Sequence, residues 1–265
     1  MGNRDRIARR LPKGWSTVTN HCHSLIGRIW VIWNPGVVQF TVIDISLQAI
    51  HGTLTFDKAV VFVSIVYGSC DLRERRDLWA NLTHHSTVAP GRPWIVLGDF
   101  DVSRYPREHT GNRLVSSKAM EEFELCIRKC EIEDLRQTGQ FFTWNNKRTG
   151  AEAIAKKIDR ALGNWWWFKE FSDIQAVFPP PGISDHSPCI LPLQRPSIRG
   201  AGLSSTSMCG LPISPFWGWS GMYSRDSWRA PQWRLWVRSS GCSNLSLRSS
   251  TIDPSRTRPL FAPTL

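Results

Sequence analysis

Ile95-Val96-Leu97-Gly98-Asp99-Phe100-Asp101 and Ile183-Ser184-Asp185-His186-Ser187-Pro188 are the two segments whose residue types and spacing could do chemistry. In the first, an apolar run stops at Gly-Asp. That is the pattern of a buried strand delivering a carboxylate to the rim of a sheet, where α/β proteins build their sites. The second places an imidazole beside an acid. Carboxylates on one rim and an acid–imidazole pair on another suit a hard cation and proton transfer at a phosphate. Each segment has a plainer reading in isolation. A strand-end aspartate often serves a turn, and a single histidine is more often a packing or surface residue.

Periodicity supplies the elements that must position these groups. Residues 28–33, 37–43, 47–54 and 58–67 read as short strands, broken at Asn34-Pro35-Gly36 and near Asp57. Residues 93–100 form the strand that ends at the first acidic rim, and 141–144, 157–162, 174–178 and 188–193 complete the set. Asp71 caps a helix, with Glu74 in the capping-box position and Leu78 and Leu82 on one face. Ser116 or Ser117 opens a second helix, whose Met120, Phe123, Ile127 and Cys130 keep helical spacing. Trp165-Trp166-Trp167 reads as a helix start with one or two rings buried, or as a base-stacking platform. Many strands and few helices predict an α+β chain, two packed β-sheets flanked by helices.

Further motifs stand in order around the two segments. They are Gly27-Arg28-Ile29-Trp30-Val31, Val66-Tyr67-Gly68 and Glu74-Arg75-Arg76-Asp77-Leu78-Trp79, then Phe142-Thr143-Trp144-Asn145-Asn146 and Lys157-Ile158-Asp159-Arg160-Ala161-Leu162. With Gly98-Asp99-Phe100-Asp101 and Ser184-Asp185-His186-Ser187-Pro188, this order resembles the endonuclease/exonuclease/phosphatase superfamily. In particular it is similar to the apurinic-type endonuclease domain of plant LINE (non-LTR) retrotransposons, from about residue 5 to about residue 194. The resemblance implies a four-layer α/β/β/α sandwich and a Mg²⁺-dependent phosphodiesterase whose partner is DNA. Under it, Asp99 orients or deprotonates the attacking water or protonates the leaving oxygen, and the residue at 101 helps position that water. Asp185 lies at the metal, His186 contacts the scissile phosphate, Asp159 orients His186, and Tyr67 hydrogen-bonds a phosphate oxygen. Read on its own, Asp159 could instead pair with Arg160. Trp144, Lys147, Arg148, Lys156 and Lys157 are the candidate DNA contacts, with an ordinary solvated hairpin as the alternative.

Two departures from the family pattern bear on activity. Position 101 is Asp where the family has Asn, an acceptor carrying charge in place of an amide donor. The family's earlier Asn and metal-binding Glu have no counterpart here, the Glu lying in relatives just before a segment similar to residues 7–15. The expectation is a copy incomplete at its N-terminus, impaired in Mg²⁺ binding and in DNA nicking. The rival readings are a non-catalytic remnant, a nucleic-acid-binding fragment and a phosphatase of the same fold.

The chain has 265 residues and a formal net charge of +11, a balance that favours a polyanionic partner. That charge is uneven: residues 1–195 carry 25 Lys/Arg against 20 Asp/Glu, and residues 196–265 carry 8 against 2. Residues 196–265 contain no Lys, Glu or His but 15 Ser and 5 Trp, a composition foreign to globular domains. Two units therefore follow, a partial endonuclease-like domain at 1–195 and a tail at 196–265. The tail is either disordered or translated out of frame, the rival being an Arg/Ser-rich arm that binds nucleic acid. Seven cysteines without a C-x-x-C pair read as reduced thiols. No apolar run approaches membrane length and no secretory leader is seen, so the expected location is intracellular, nuclear or cytoplasmic, with no membrane partner.

Overall fold

The structure is a computed structural model; it describes residues 11–57, 59–111 and 116–193, and the backbone of two short strands beyond them. In chain order the strands begin with β1 (Ser16–Thr19), β2 (Ile29–Trp33), β3 (Gln39–Ile45), β4 (Ala49–Phe56) and β5 (Ala59–Tyr67). Helix α1 (Leu72–Val88), β6 (Trp94–Asp99), helix α2 (Ser117–Cys130), β7 (Ile132–Asp134) and β8 (Gln137–Gly139) come next. Then follow β9 (Trp144–Asn145), β10 (Ala155–Lys156), β11 (Asp159–Asn164), helix α3 (Trp165–Glu170), β12 (Ala176–Phe178) and β13 (Cys189–Leu191). The last two are β14 (Leu211–Ile213) and β15 (Leu235–Val237).

A six-stranded sheet, ordered β3-β4-β5-β6-β11-β7, is the frame. Only β5 and β6 run parallel in it, joined by α1 across one face; the other neighbours are antiparallel. Parallel strands need such a crossover. The near-continuous apolar run of β5 is explained by burial on both faces. Val61, Val63, Ile65 and Tyr67 join one core cluster, while Phe62 and Val66 join the other. The second cluster lies under α1 and α2, through Leu78, Leu82, Phe123 and Ile127. Each of these side chains contributes about 1.5–3 kcal/mol by leaving water. The first cluster packs the sheet against a second layer built of β1-β2-β15 and β14-β13-β12-β8, using Ile29, Val31, Phe178 and Leu191. The α+β expectation of packed sheets with few helices holds.

Local signals explain the helix starts. Asp71 accepts from the Arg73 amide at 2.6 Å and the Glu74 amide at 3.3 Å, and Ser116 accepts from the Ala119 amide at 3.3 Å, satisfying donors a helix start leaves open. The expected strand 141–144 shrinks to Trp144–Asn145. Here the Thr143 hydroxyl, rather than a ladder, accepts from the amides of Ile158 and Asp159 at 3.1 and 2.9 Å. Helix α3 opens at the Trp triplet, burying Trp167 and leaving Trp165 71% exposed.

Residues 1–10, and the tail beyond 195 apart from two strands, lie outside the described residues. Those strands, β14 and β15, pair antiparallel with β13 and β2. Cys22, Cys126, Cys130 and Cys189 are free thiols, whereas Cys70 is disulfide-bonded, against the expectation of thiols throughout. No helix among the described residues is long and apolar enough to cross a membrane.

Candidate active site

Strand pairing brings the first three candidate groups together. Tyr67 is in register with Asp99 across the parallel β5–β6 pair, and Asp99 with Asp159 across the antiparallel β6–β11 pair. Alternation along each strand puts all three on the face that carries Ile65, Leu97 and Ala161, towards the second layer. His186, in the loop before β13, completes the group. Its Nδ1 lies 3.0 Å from Asp159 Oδ2 and 3.2 Å from Oδ1. Ligand atoms of Asp99, Asp159 and His186 all fall within 4.8 Å of one another, and all three side chains are buried.

The surrounding sequence is shaped to hold them. Gly98 adopts φ +135°, and a Cβ there would strike the Val66 carbonyl oxygen, so only glycine lets β6 run this close to β5. Beyond Asp99, Phe100 is fully buried and pins the chain in the helix-side core. Asp101 then turns with φ 49°, and its amide donates to Asp99 Oδ1 at 2.9 Å. Aspartate tolerates that left-handed conformation better than most residues. On the opposing loop, the His186 amide donates to Ser184 Oγ at 3.0 Å and the Ser187 amide to the Thr143 carbonyl at 2.7 Å. Asp185 accepts twice from the Trp144 segment: its carbonyl from the Asn145 amide at 3.0 Å, its Oδ2 from the Trp144 indole at 3.1 Å. The Phe142–Asn146 motif is thus the cradle of the Ser184–Pro188 motif.

Electrostatics follow from this crowding. Burial would lower His186, but the Asp159 carboxylate in contact with it, and Asp99 and Asp185 nearby, carry it up to about 9. Burial, then repulsion from Asp159, raises Asp99 well above the usual carboxylate range. Burial also raises Asp101, against the pull of Arg75 and Lys156. The arrangement therefore holds an imidazole of raised proton affinity against Asp159, with a carboxyl of raised proton affinity next to it. Such a pair can donate and accept protons at a bound ester. The Asp99, Asp159 and His186 ligand atoms lie close enough together to hold a metal ion, and the two carboxylates offer the oxygen donors that a hard divalent cation such as Mg²⁺ takes.

The expected DNA contacts divide. Lys156 Nζ lies 5.3 Å from the centre of the Trp144 ring, next to the Asp185 loop. Lys147 Nζ reaches the Gly182 carbonyl at 3.2 Å, and Arg148 forms an exposed pair with Glu152 at 3.4 Å. Lys157 is drawn instead into a buried ion network, 4.0 Å from Asp134.

That network was not legible in the sequence. Fully buried Arg160 pairs with Glu108, and with Asp134 at 2.9 Å; Arg104 pairs with Glu124 at 2.6 Å, with Glu133, and with Asp134 at 3.1 Å. Asp159 and Arg160 are successive strand residues on opposite faces, which is why Asp159 serves His186 and not its neighbour. Arg75, also buried, donates to the carbonyls of Ser69 and Asp101 and lies 3.6 Å from Asp101 Oδ2. Arg28 donates to the Tyr67 hydroxyl at 3.3 Å, its guanidinium 5.2 Å from the ring centre.

A second cluster, Asp44, His51 and His85, pins α1 to the sheet edge. The Trp94 indole donates to Ser64 Oγ at 2.9 Å, and because His51 Nε2 faces the acceptor oxygen of Asn81, the neutral ring's Nδ1 accepts from the Ser64 hydroxyl at 2.7 Å. His51 Nε2 then donates to Asn81 at 2.6 Å, and Asn81 donates to Asp44 at 3.3 Å. His85 Nε2 closes the chain on Asp44 at 3.0 Å. The two imidazoles stack 3.7 Å apart with planes 20° from parallel. The cluster is a hydrogen-bonded latch between the helix and the sheet.

No protein-family model matches the chain, and no curated protein sequence matches it. Among solved structures it is similar to the endonuclease domain of TRAS1, a telomere-specific non-LTR retrotransposon, with 12% identity, TM-score 0.47, and 66% of this chain and 78% of that one covered. It is also similar to D. rerio TDP2 complexed with a single-strand DNA product, with 12% identity, TM-score 0.42, and 73% and 74% covered. A third likeness is to beta toxin from Staphylococcus aureus, with 11% identity, TM-score 0.38, and 54% of this chain and 55% of the toxin covered. The chain therefore spans about half the length of that toxin. Likenesses this distant assign the chain neither a family nor an activity.

Proposed function

We propose that this chain is a DNA-directed, Mg²⁺-dependent phosphodiesterase domain of the retroelement-endonuclease type, with turnover attenuated by Asp101. The observation that carries the reading is the convergence of Asp99, Asp159 and His186 within 4.8 Å from β6, β11 and the loop before β13. Asp185 would help hold the cation, which would supply charge neutralisation at the phosphate. His186, kept protonated by Asp159, donates a hydrogen bond to a phosphate oxygen. Asp99 is the proton-transfer group, its raised affinity for a proton suiting exchange with water or a leaving oxygen. Tyr67, one strand over in the same row, offers its phenol to the phosphate. Asp101 adds a carboxylate where an amide would donate to the substrate, and this opposes anion binding.

Nicking of supercoiled plasmid in Mg²⁺ tests the reading. Asp101→Asn should raise nicking by at least about tenfold over the native chain, and adding Asp99→Ala or His186→Ala should remove about 10²–10⁴ of that rate. Nicking that survives both additions, or an Asp101→Asn protein that never cuts, would overturn it.

A further inference from the structure

We infer that Arg28 is a phosphate-contact residue of the same site, held in place by Tyr67 and committed to a nucleic-acid strand. The inference rests on the proposed function and gives a role to a residue of the Gly27–Val31 motif that had none. Two other cationic groups at this rim have carboxylate partners, His186 with Asp159 and Arg75 with Asp101, while Lys156 lies over the Trp144 ring. Arg28 differs. Among the described residues it pairs with no carboxylate, and its partners there, the Tyr67 hydroxyl and the Tyr67 ring, are both neutral. It is half-buried immediately before β2, in the layer that packs on the face carrying the row Tyr67–Asp99–Asp159.

A half-buried guanidinium loses solvation and here gains only a phenol in return, an arrangement that leaves its charge to be met by something else. The planar fork of an arginine matches two oxygens of a phosphate, and stacking on an aromatic ring fixes the plane of that fork beforehand. Tyr67 is in register with Asp99, so an anion held by Arg28 lies beside the acid row on the β5 side, opposite His186 on the β11 side. Carboxylates crowd the middle of that row. The cation at its end supplies attraction that those acids cannot.

The test is equilibrium binding of a fluorescein-labelled DNA duplex by the full chain in Mg²⁺, measured by anisotropy across a range of salt. Arg28→Met should weaken binding about tenfold and lower the slope of log K against log salt by about 0.9, the signature of one lost phosphate contact. Arg28→Lys keeps the charge but not the fork, so it should retain the slope and recover part of the affinity. Tyr67→Phe should weaken the native chain, and by less once Arg28 is Met, because the phenol positions the guanidinium as well as facing the phosphate. Arg128→Met, on the exposed side of α2, is the control. Arg28→Met with native affinity and slope overturns the inference while leaving the proposed function standing. A native chain that binds no duplex overturns both, and circular dichroism and thermal melts of each variant exclude a folding defect as the cause.

Discussion

The imidazole Nδ1 of His186 lies 3.0 and 3.2 Å from the two carboxylate oxygens of Asp159, with both side chains buried. Residues 27 positions apart in sequence thus share one proton environment, and the pair sets the charge of the candidate site at neutral pH.

Removing the carboxylate should therefore move the imidazole. In Asp159→Asn the His186 titration, followed by NMR of the ring protons, should fall from about 9 towards or below the ordinary value of 6.5. In the native chain the folded-state value lies above the unfolded one, so the pair stabilises fully below pH 6.5 and its contribution is lost as pH rises through 9. Urea denaturation at pH 6.5 and 9.5 should show a loss of stability in the native chain, on the order of 3 kcal/mol at most, and a smaller one in the variant. Equal losses would sink the assignment.

Acid should act on the other histidine pair. Burial, then the neighbouring His85, lowers His51 to about 4. The unfolded chain takes up that proton first, so stability falls as pH drops from 6.5 towards 4. His51→Gln should flatten this limb of the stability curve, at a fixed cost at neutral pH of about 1–3 kcal/mol for the disturbed latch. A limb of unchanged steepness would show that protonation of His51 is not its source.

Glycine at position 98 should be irreplaceable. Gly98→Ala places a methyl against the Val66 carbonyl at φ +135° and should cost about 3 kcal/mol or more in chemical denaturation. Gly91→Ala, at φ +73° in open space, should cost only about 1 kcal/mol. Similar losses at the two positions would remove the steric argument for the β5–β6 approach.

Breaking the buried ion network on one side should be worse than removing it. Glu108→Gln leaves the fully buried Arg160 guanidinium under-compensated and should cost about 3–5 kcal/mol. Adding Arg160→Met should recover part of that loss in a double-mutant cycle. Strictly additive losses would mean that the two groups do not act as a pair.

How much was legible in the sequence depended on where each signal lives. The strand ending at Asp99 was readable because a continuous apolar run must be buried on both faces. The caps at Asp71 and Ser116 were readable because capping is local. Strands β1, β7 and β8 escaped, being only three or four residues long, too short for alternation to register. Asp159 and His186 were paired through resemblance, not periodicity. The Arg160–Glu108 pair spans 52 residues and the His51–Asn81 bond 30; no window of sequence contains both partners. Arg28 stood within the Gly27–Val31 motif but with no role attached, since its meaning comes from the tyrosine that the fold sets beside it.

The row Tyr67–Asp99–Asp159 has one more implication, for evolution by insertion and deletion. Because neighbouring strands dictate which way Asp99 looks, losing one codon anywhere within Trp94–Leu97 would force a choice. Either the acid rotates to lie among Phe123 and Ile127, or it keeps its outlook and every apolar residue before it changes sides. Length in β6 should accordingly be far less negotiable than composition.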